Sequence, residues 1–466
     1  MATEPVRQAV AYPLHQLSFA LLLATVILAP LPYGSVEAHW IAIWCVFLAV
    51  ACLTADLTFT RVSHARLVAP VLLVAALFGI TVALQSVQSG LITPHPIWAE
   101  SGRVLGVPSP KILPTVSVGA PWLSVGHAIL LAGVFTLSFT LSTSTARADA
   151  IHKAIAFSGI IYAIYGVFGL IKNQDLSLTS TFINRNTAAT YLGTCAILWL
   201  SLFVSSLDRD IFTSKKPILR LSPSVPTITA AAALLVTLTA VPLTTSRAGT
   251  LLTVLALVVT GGLLVRRRLP RWSSPVLTAS GLVCAVAIVV ALLGERVGLR
   301  ISHDGLIDEN RMLAYRSGLA IVADNAWLGT GLGTFADVFP SYRKPEMASA
   351  FVWDRAHSSA LELAVEMGLP LAAMVLILWA YLLLRLVQGC FSRHRGVRFP
   401  AVGLGVLLLG TLHSVVDFSL QIPGYSVVFA ALTACGLAQV ERAGPSSESR
   451  RSSVRPTAIA IRGMPR

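Results

Sequence analysis

The chain has 466 residues, 55% of them hydrophobic and 12% charged, with a mean hydropathy of +0.75. Soluble domains carry roughly 25% charged residues, so a deficit of this size excludes a water-soluble globule and makes lipid the main solvent. The formal net charge of +14 would suggest nucleic acid in a soluble protein. In a membrane protein it is first a matter of sidedness, and no nucleic-acid partner is inferred.

A spanning helix needs about 20 apolar residues. The apolar runs predict about twelve spans, near 16–32, 38–56, 66–86, 122–143, 152–171, 187–207, 225–243, 248–265, 275–293, 364–386, 400–418 and 422–440. The expected fold is an all-α polytopic membrane protein, with residues 1–440 forming one transmembrane domain. Met1 to His15 carries a single Arg and no small-residue cleavage pattern, so the first span is expected to be retained rather than cleaved. Two long polar loops, about 87–121 and 294–363, separate groups of spans. The second is expected to be partly helical: residues 311–322 have a period that would place Met312, Tyr315, Leu319 and Val322 on one face. Residues 441–466 are rich in Ser, Arg and Pro, as expected of a disordered tail drawn to anionic headgroups. Five cysteines (Cys45, Cys52, Cys195, Cys284, Cys435) lie in apolar runs and Cys390 follows a basic stretch. None has metal-site spacing, so neither a disulfide framework nor a zinc site is implied.

Placing the N-terminus in the cytoplasm assigns every loop a side. Arg61 and Arg66, Arg147 and Lys153, Arg209 to Arg220, Arg266 to Arg271, Arg385 to Arg398 and the basic tail then all fall inside, as the positive-inside rule requires. The 294–363 loop falls outside although it carries Arg296, Arg300, Arg311, Arg316, Arg343, Lys344 and Arg355. An anionic ligand at the outer leaflet would explain that charge; long loops also translocate regardless of charge.

Several residues in the outer segments could carry chemistry. Ser359 and Glu362 have capping-box spacing, which predicts a helix start near Ser359 and sets His357 just outside it. Imidazole titrates near neutral pH, and the adjacent helix N-terminus offers donors to an anion. A loop-capping His with no chemistry is equally compatible. Gly329, Gly331 and Gly333 do not follow a strand in a βαβ unit. They read as a tight turn or close packing, with phosphate binding by their amides as the second reading. Arg247 lies in a very short turn between two apolar spans, and Arg185 at the outer end of the sixth. An ionisable residue there is a functional candidate, and snorkelling to the headgroups is the bland one. His413 and Asp417 are four apart and would share a helix face. His303, Asp304, Asp308 and Glu309 form an acidic cluster that fits no known metal loop, so no metal is assigned.

The stretch from Asn310 to Pro370 resembles the core of the O-antigen ligase and polymerase superfamily of bacterial envelope glycosyltransferases. The resemblance rests on Arg311 before a short helix, the Gly329 to Phe335 segment, and His357 opening a helix with Glu366-Met367-Gly368. Ser246-Arg247-Ala248-Gly249 is similar to the family's Ser-Arg-x-Gly turn, Phe182 to Asn186 to its Asn-rich motif, and His413 to Asp417 also looks familial. Ser358 and Tyr315 depart from the family's usual Asn and Trp.

The resemblance implies an inner-membrane enzyme that moves a glycan from undecaprenyl diphosphate to a glycan, lipid A-core or other acceptor at the periplasmic face. It implies His357 as general base and Arg311 and Arg247 on the diphosphate, with Arg185 as a third. Asn184, Arg355, His413, Asp417 and Glu366 complete the substrate-contact candidates. The donor itself is activated, so no cofactor is expected. Membrane lipids are the other expected partner. The competing reading is a lipid-linked oligosaccharide transporter or flippase, whose polar residues would lie near the bilayer midplane.

Overall fold

The computed structural model describes residues 4–55, 62–88, 92–108, 113–212, 223–266, 309–347, 353–392 and 396–441. The regular structure among them is helical: α1 (Glu4–Leu28), α2 (Ala38–Thr54), α3 (Val62–Ser86), α4 (Ile97–Leu105), α5 (Ala120–Leu141), α6 (Thr145–Asn173), α7 (Arg185–Phe212), α8 (Val225–Leu243), α9 (Arg247–Val265), α10 (Glu309–Asp324), α11 (Phe335–Tyr342), α12 (Ser359–Ser392), α13 (Arg398–Ser414) and α14 (Pro423–Ala438). By length and composition, seven of them (α3, α5 to α9 and α12) can cross a membrane. The protein is an all-helical polytopic membrane protein. Each predicted span within the described residues overlaps a helix, although the helices over the first and eleventh end at Leu28 and Ser414, four residues short of the expected bounds. The ninth, near 275–293, lies outside them, as do Cys284, Arg296, Arg300, His303, Asp304, Asp308 and the tail beyond Glu441.

The pivot of the bundle is α14, which packs against α13, α5 and α1. It is buried on all sides, with Tyr425, Val427, Val428, Ala431, Leu432 and Leu437 among the sealed residues. A helix that is apolar all round belongs where protein surrounds it. Outer helices behave differently: Leu73 and Ile80 of α3, Ile161 and Phe168 of α6 and Leu235 of α8 are largely exposed. On helices of spanning length, such side chains are the ones lipid covers.

Charge is sorted between the two ends of the bundle. At one end Arg398 pairs with Asp149 and donates to Ser201 at 3.0 Å, while Lys153 meets Asp149 at 2.7 Å. There too Arg266 donates to the Cys390 carbonyl at 3.0 Å, and Arg385 pairs with Glu441 at 3.0 Å.

At the opposite end α10, α11 and the start of α12 share a small apolar core of Ala314, Ile321, Phe335, Phe339, Met347 and Val365. The helix expected over 311–322 is present as α10, but its buried face differs. Ala314, Ser317, Gly318, Ile321 and Val322 face inward, whereas Met312 and Leu319 are exposed. Small residues at helical spacing allow a close approach that the larger ones would block. A Cβ on Gly318 would lie 2.8 Å from Leu361 Cδ2.

The helix α12 is broken at Gly368 (φ 78, ψ 165). Pro370 has no N–H, and the Leu369 N–H turns to the Ala326 carbonyl at 2.8 Å. The carbonyls of Val365 and Glu366 thereby lose their helical donors. The glycine segment replaces them: Thr330 N–H donates to Val365 O at 2.9 Å and Gly331 N–H to Glu366 O at 3.0 Å. Gln85, from the end of α3, donates to the carbonyls of Leu328 and Glu366 at 2.6 and 2.7 Å and accepts the Leu332 N–H at 3.1 Å. A Cβ on Gly329 (φ +70) would lie 2.4 Å from the Glu366 carbonyl oxygen. The close packing of these glycines favours the first reading over the phosphate one, because the Gly329 N–H is spent on the Asn325 carbonyl at 3.0 Å and the Gly331 N–H on the break in α12.

Candidate active site

The motif residues are drawn together by a five-residue loop. α13 stops at Ser414, so His413 and Asp417 do not share a helix face as their spacing predicts. The last turn tightens instead, with the N–H groups of Val415 and Val416 reaching the carbonyls of Leu412 and His413 at 3.4 and 3.1 Å. The chain then runs through Asp417 and Phe418 into the short helix Ser419–Gln421.

Asp417 is fully buried. Its carboxylate accepts from Asn186 Nδ2 at 2.8 Å, Asn184 Nδ2 at 3.4 Å and Ser419 Oγ at 2.5 Å. Its main-chain carbonyl accepts from the N–H and Oγ of Ser359 at 3.3 and 3.2 Å. Buried carboxylate oxygens need such donors in place of water. One residue earlier, the Val416 carbonyl accepts from Arg311 Nη1 at 3.1 Å. One residue later, the Phe418 ring stands 5.0 Å from the His357 ring, tilted by 66°. His413 bonds through Nδ1 to Thr190, whose hydroxyl lies 3.3 Å from Ser419 Oγ. His413 is thus joined to Asp417 through two hydroxyls.

His357 is held on both sides. Its φ of +52 is uncommon for a residue with a side chain. The Tyr315 hydroxyl donates to its carbonyl at 3.0 Å. Just before it, the Ala356 N–H donates to Glu362 Oε2 at 2.7 Å, and Arg355 Nη1 meets Glu362 Oε1 at 3.2 Å. Trp353 lies 5.3 Å from the imidazole, near edge-on at 77°. The helix starts at Ser359 as predicted, but the capping differs. Ser358 accepts the Leu361 N–H at 3.4 Å, and Glu362 reaches back past the cap to Ala356.

Arg185 opens α7 and donates to Thr245 Oγ1 at 3.4 Å. Arg247, two residues beyond Thr245, is the first residue of α9, whose cap Ser246 accepts the Gly249 N–H at 3.2 Å. The tripeptide Asn184-Arg185-Asn186 therefore bridges the Arg247 turn on one side and Asp417 on the other.

The structure gives Glu366 a use other than the expected substrate contact. It is 7% exposed, and its Oε1 accepts the Phe335 N–H at 3.1 Å. Arg355 is paired with Glu362 yet remains 41% exposed. Thr190, Ser419 and Trp353 are not singled out from sequence, and Asn186 only as part of the Asn-rich motif. Asn186 and Thr190 stand four apart on α7, and Ser419 is two beyond Asp417, spacings that could have flagged these three. Among the described residues, no cluster of His, Cys, Asp and Glu is arranged to hold a metal ion.

A family model described as O-antigen ligase matches residues 232–376. This segment is similar to the O-antigen ligase family. The matched segment contains Arg247, Arg311, the glycine segment, His357 and Glu366. The match supports a membrane glycan ligase or polymerase type of function, which implies a lipid-linked glycan and an acceptor in general terms. Asn184, Arg185 and the 415–419 loop lie outside the match but are bound to it by the contacts above. No curated protein matches the chain.

Proposed function

We propose that the protein transfers a glycan from undecaprenyl diphosphate to an acceptor at the periplasmic face of the bacterial inner membrane, as an O-antigen ligase or a polysaccharide polymerase. The reading includes about twelve spans, cytoplasmic termini and a periplasmic 294–363 loop. The observation that carries it is the loop from Val415 to Ser419, which touches Arg311, His357 and the Asn184-Arg185-Asn186 tripeptide at once.

In this reaction the acceptor hydroxyl attacks the anomeric carbon. Its proton passes to the His357 imidazole, a new C–O bond forms, and the bond to the diphosphate breaks with its electron pair leaving on oxygen. Attack opposite the leaving group inverts the anomeric centre. The diphosphate is already a stable leaving group, so the protein's task is to position it and neutralise its growing charge. Guanidinium groups suit this because their rigid fork meets phosphate oxygens two at a time. Arg311 and Arg247 take this role, with Arg185 beside the second. His357, as general base, contributes about 10²–10⁴-fold.

The test is reconstitution in proteoliposomes with an undecaprenyl-diphosphate-linked glycan. Transfer releases undecaprenyl diphosphate and a glycan joined to a new partner. Movement of the intact lipid-linked glycan across the bilayer, with no bond broken, would favour the transporter instead.

A further inference from the structure

A row of rings runs from the outer core into the site. Phe335 and Phe339 lie 5.1 Å apart, Phe339 and Trp353 6.1 Å, Trp353 and His357 5.3 Å, and His357 and Phe418 5.0 Å. The members of this row differ in what they can meet. Phe335 and Phe339 are each 1% exposed and serve packing. Trp353 leans on Phe339 and backs the imidazole. Phe418 ends the row, packed on one side against the bundle core yet only half-buried, on the loop whose Val416 carbonyl holds Arg311.

We propose that Phe418 is the stacking platform for the first sugar of the donor, the one bonded to the diphosphate. This rests on the proposed transfer reaction. A sugar ring has an apolar C–H face and a polar rim, and sites for such ligands pair a flat apolar surface with a few placed polar groups. Phe418 provides the flat surface next to both groups the donor must meet, against His357 and two residues after the carbonyl that holds Arg311. Arg311 lies on the side of Val416, and the base His357 lies against the ring itself. A sugar seated there has its diphosphate toward Arg311 and its anomeric carbon toward the imidazole. Stacking of this kind reads the C–H face and tolerates different sugars, which suits an enzyme whose reacting unit is one residue of a longer glycan.

The experiment measures binding of three lipids to the full-length protein in nanodiscs: bare undecaprenyl diphosphate, and the same lipid bearing one N-acetylglucosamine or one galactose. The wild type is expected to bind the sugar-bearing lipids about tenfold more tightly, the increment expected of one good aromatic contact. Phe418→Leu keeps an apolar side chain without a flat face, and should erase that preference while leaving the bare lipid's affinity unchanged. Phe418→Trp should restore it. A sugar preference that survives Phe418→Leu overturns the proposal. A wild type that binds bare and sugar-bearing lipids equally overturns it as well, with the diphosphate reading intact. A wild type that binds none of the three defeats the proposed function, and the platform with it.

Discussion

The hydroxyl of Tyr315 donates to the main-chain carbonyl of His357 at 3.0 Å, joining the helix that carries Arg311 to the loop that carries the imidazole. The bond fixes a residue whose φ is +52, a conformation that persists only when its surroundings hold it. A hydrogen bond of this kind contributes about 0.5–1.5 kcal/mol. Tyr315→Phe should therefore lower kcat several-fold with little change in donor affinity. Tyr315→Trp, which retains an N–H donor, should recover part of it. Steady-state kinetics on the purified variants measure both.

Asp417→Asn replaces an acceptor by a donor where Asn184, Asn186 and Ser419 already donate. An unsatisfied buried donor costs about 1–3 kcal/mol. The variant should unfold at lower temperature and lose transfer, since the same loop holds Arg311 and borders His357. Thermal unfolding in detergent and initial rates are the measurements.

Gly329→Ala should destabilise by more than about 1 kcal/mol, because Gly329 has φ +70 and its Cβ would meet the Glu366 carbonyl oxygen at 2.4 Å. Gly169, within α6, has no atom within 4 Å of such a Cβ, and Gly169→Ala should be neutral or slightly stabilising. Thermal unfolding of the pair separates backbone geometry from a general effect of adding a methyl group.

The segment between α3 and α5 is hooked to the turn after α10 by His95. Its Nε2 meets Asn325 Oδ1 at 3.1 Å and its Nδ1 accepts the Ile97 N–H at 3.2 Å. Both contacts are satisfied at once by the neutral ring with its proton on Nε2. Burial holds this imidazole below its ordinary range, and the Asn325 bond only partly opposes that. The folded state thus binds fewer protons than the unfolded one. The contribution is complete above the unfolded His value, about 6.5, and is lost as pH falls through the lowered folded value. The protection of residues 92–108 against hydrogen exchange, measured relative to the intrinsic exchange rate at each pH, should fall on acidification from pH 8 to pH 5, and His95→Ala should remove most of that pH dependence.

Much of this architecture was legible in the sequence, because lipid imposes long apolar runs that read directly as helices. The start of α12 and the helix around Arg311 were legible for similar local reasons. The inward face of α10 was not: apolar periodicity pointed to Met312 and Leu319, while close packing selected Gly318 and Ser317. Nor could spacing reveal that α13 stops short of Asp417, since the partners that draw Asp417 off the helix, Asn184 and Asn186, are more than 200 residues away. The two departures from the family pattern become intelligible in space. Ser358 serves as a helix cap, a role Asn fills equally well, and Tyr315 supplies a donor, as Trp would.

The most direct measurement is the initial rate of glycan transfer by His357→Ala in proteoliposomes, beside wild type and with folding checked by thermal unfolding. Loss of about 10²–10⁴-fold in rate, in a protein that still folds and still binds undecaprenyl diphosphate, is the predicted result. Transfer at the wild-type rate would contradict the assignment of the base, and with it the account of the site built around the 415–419 loop.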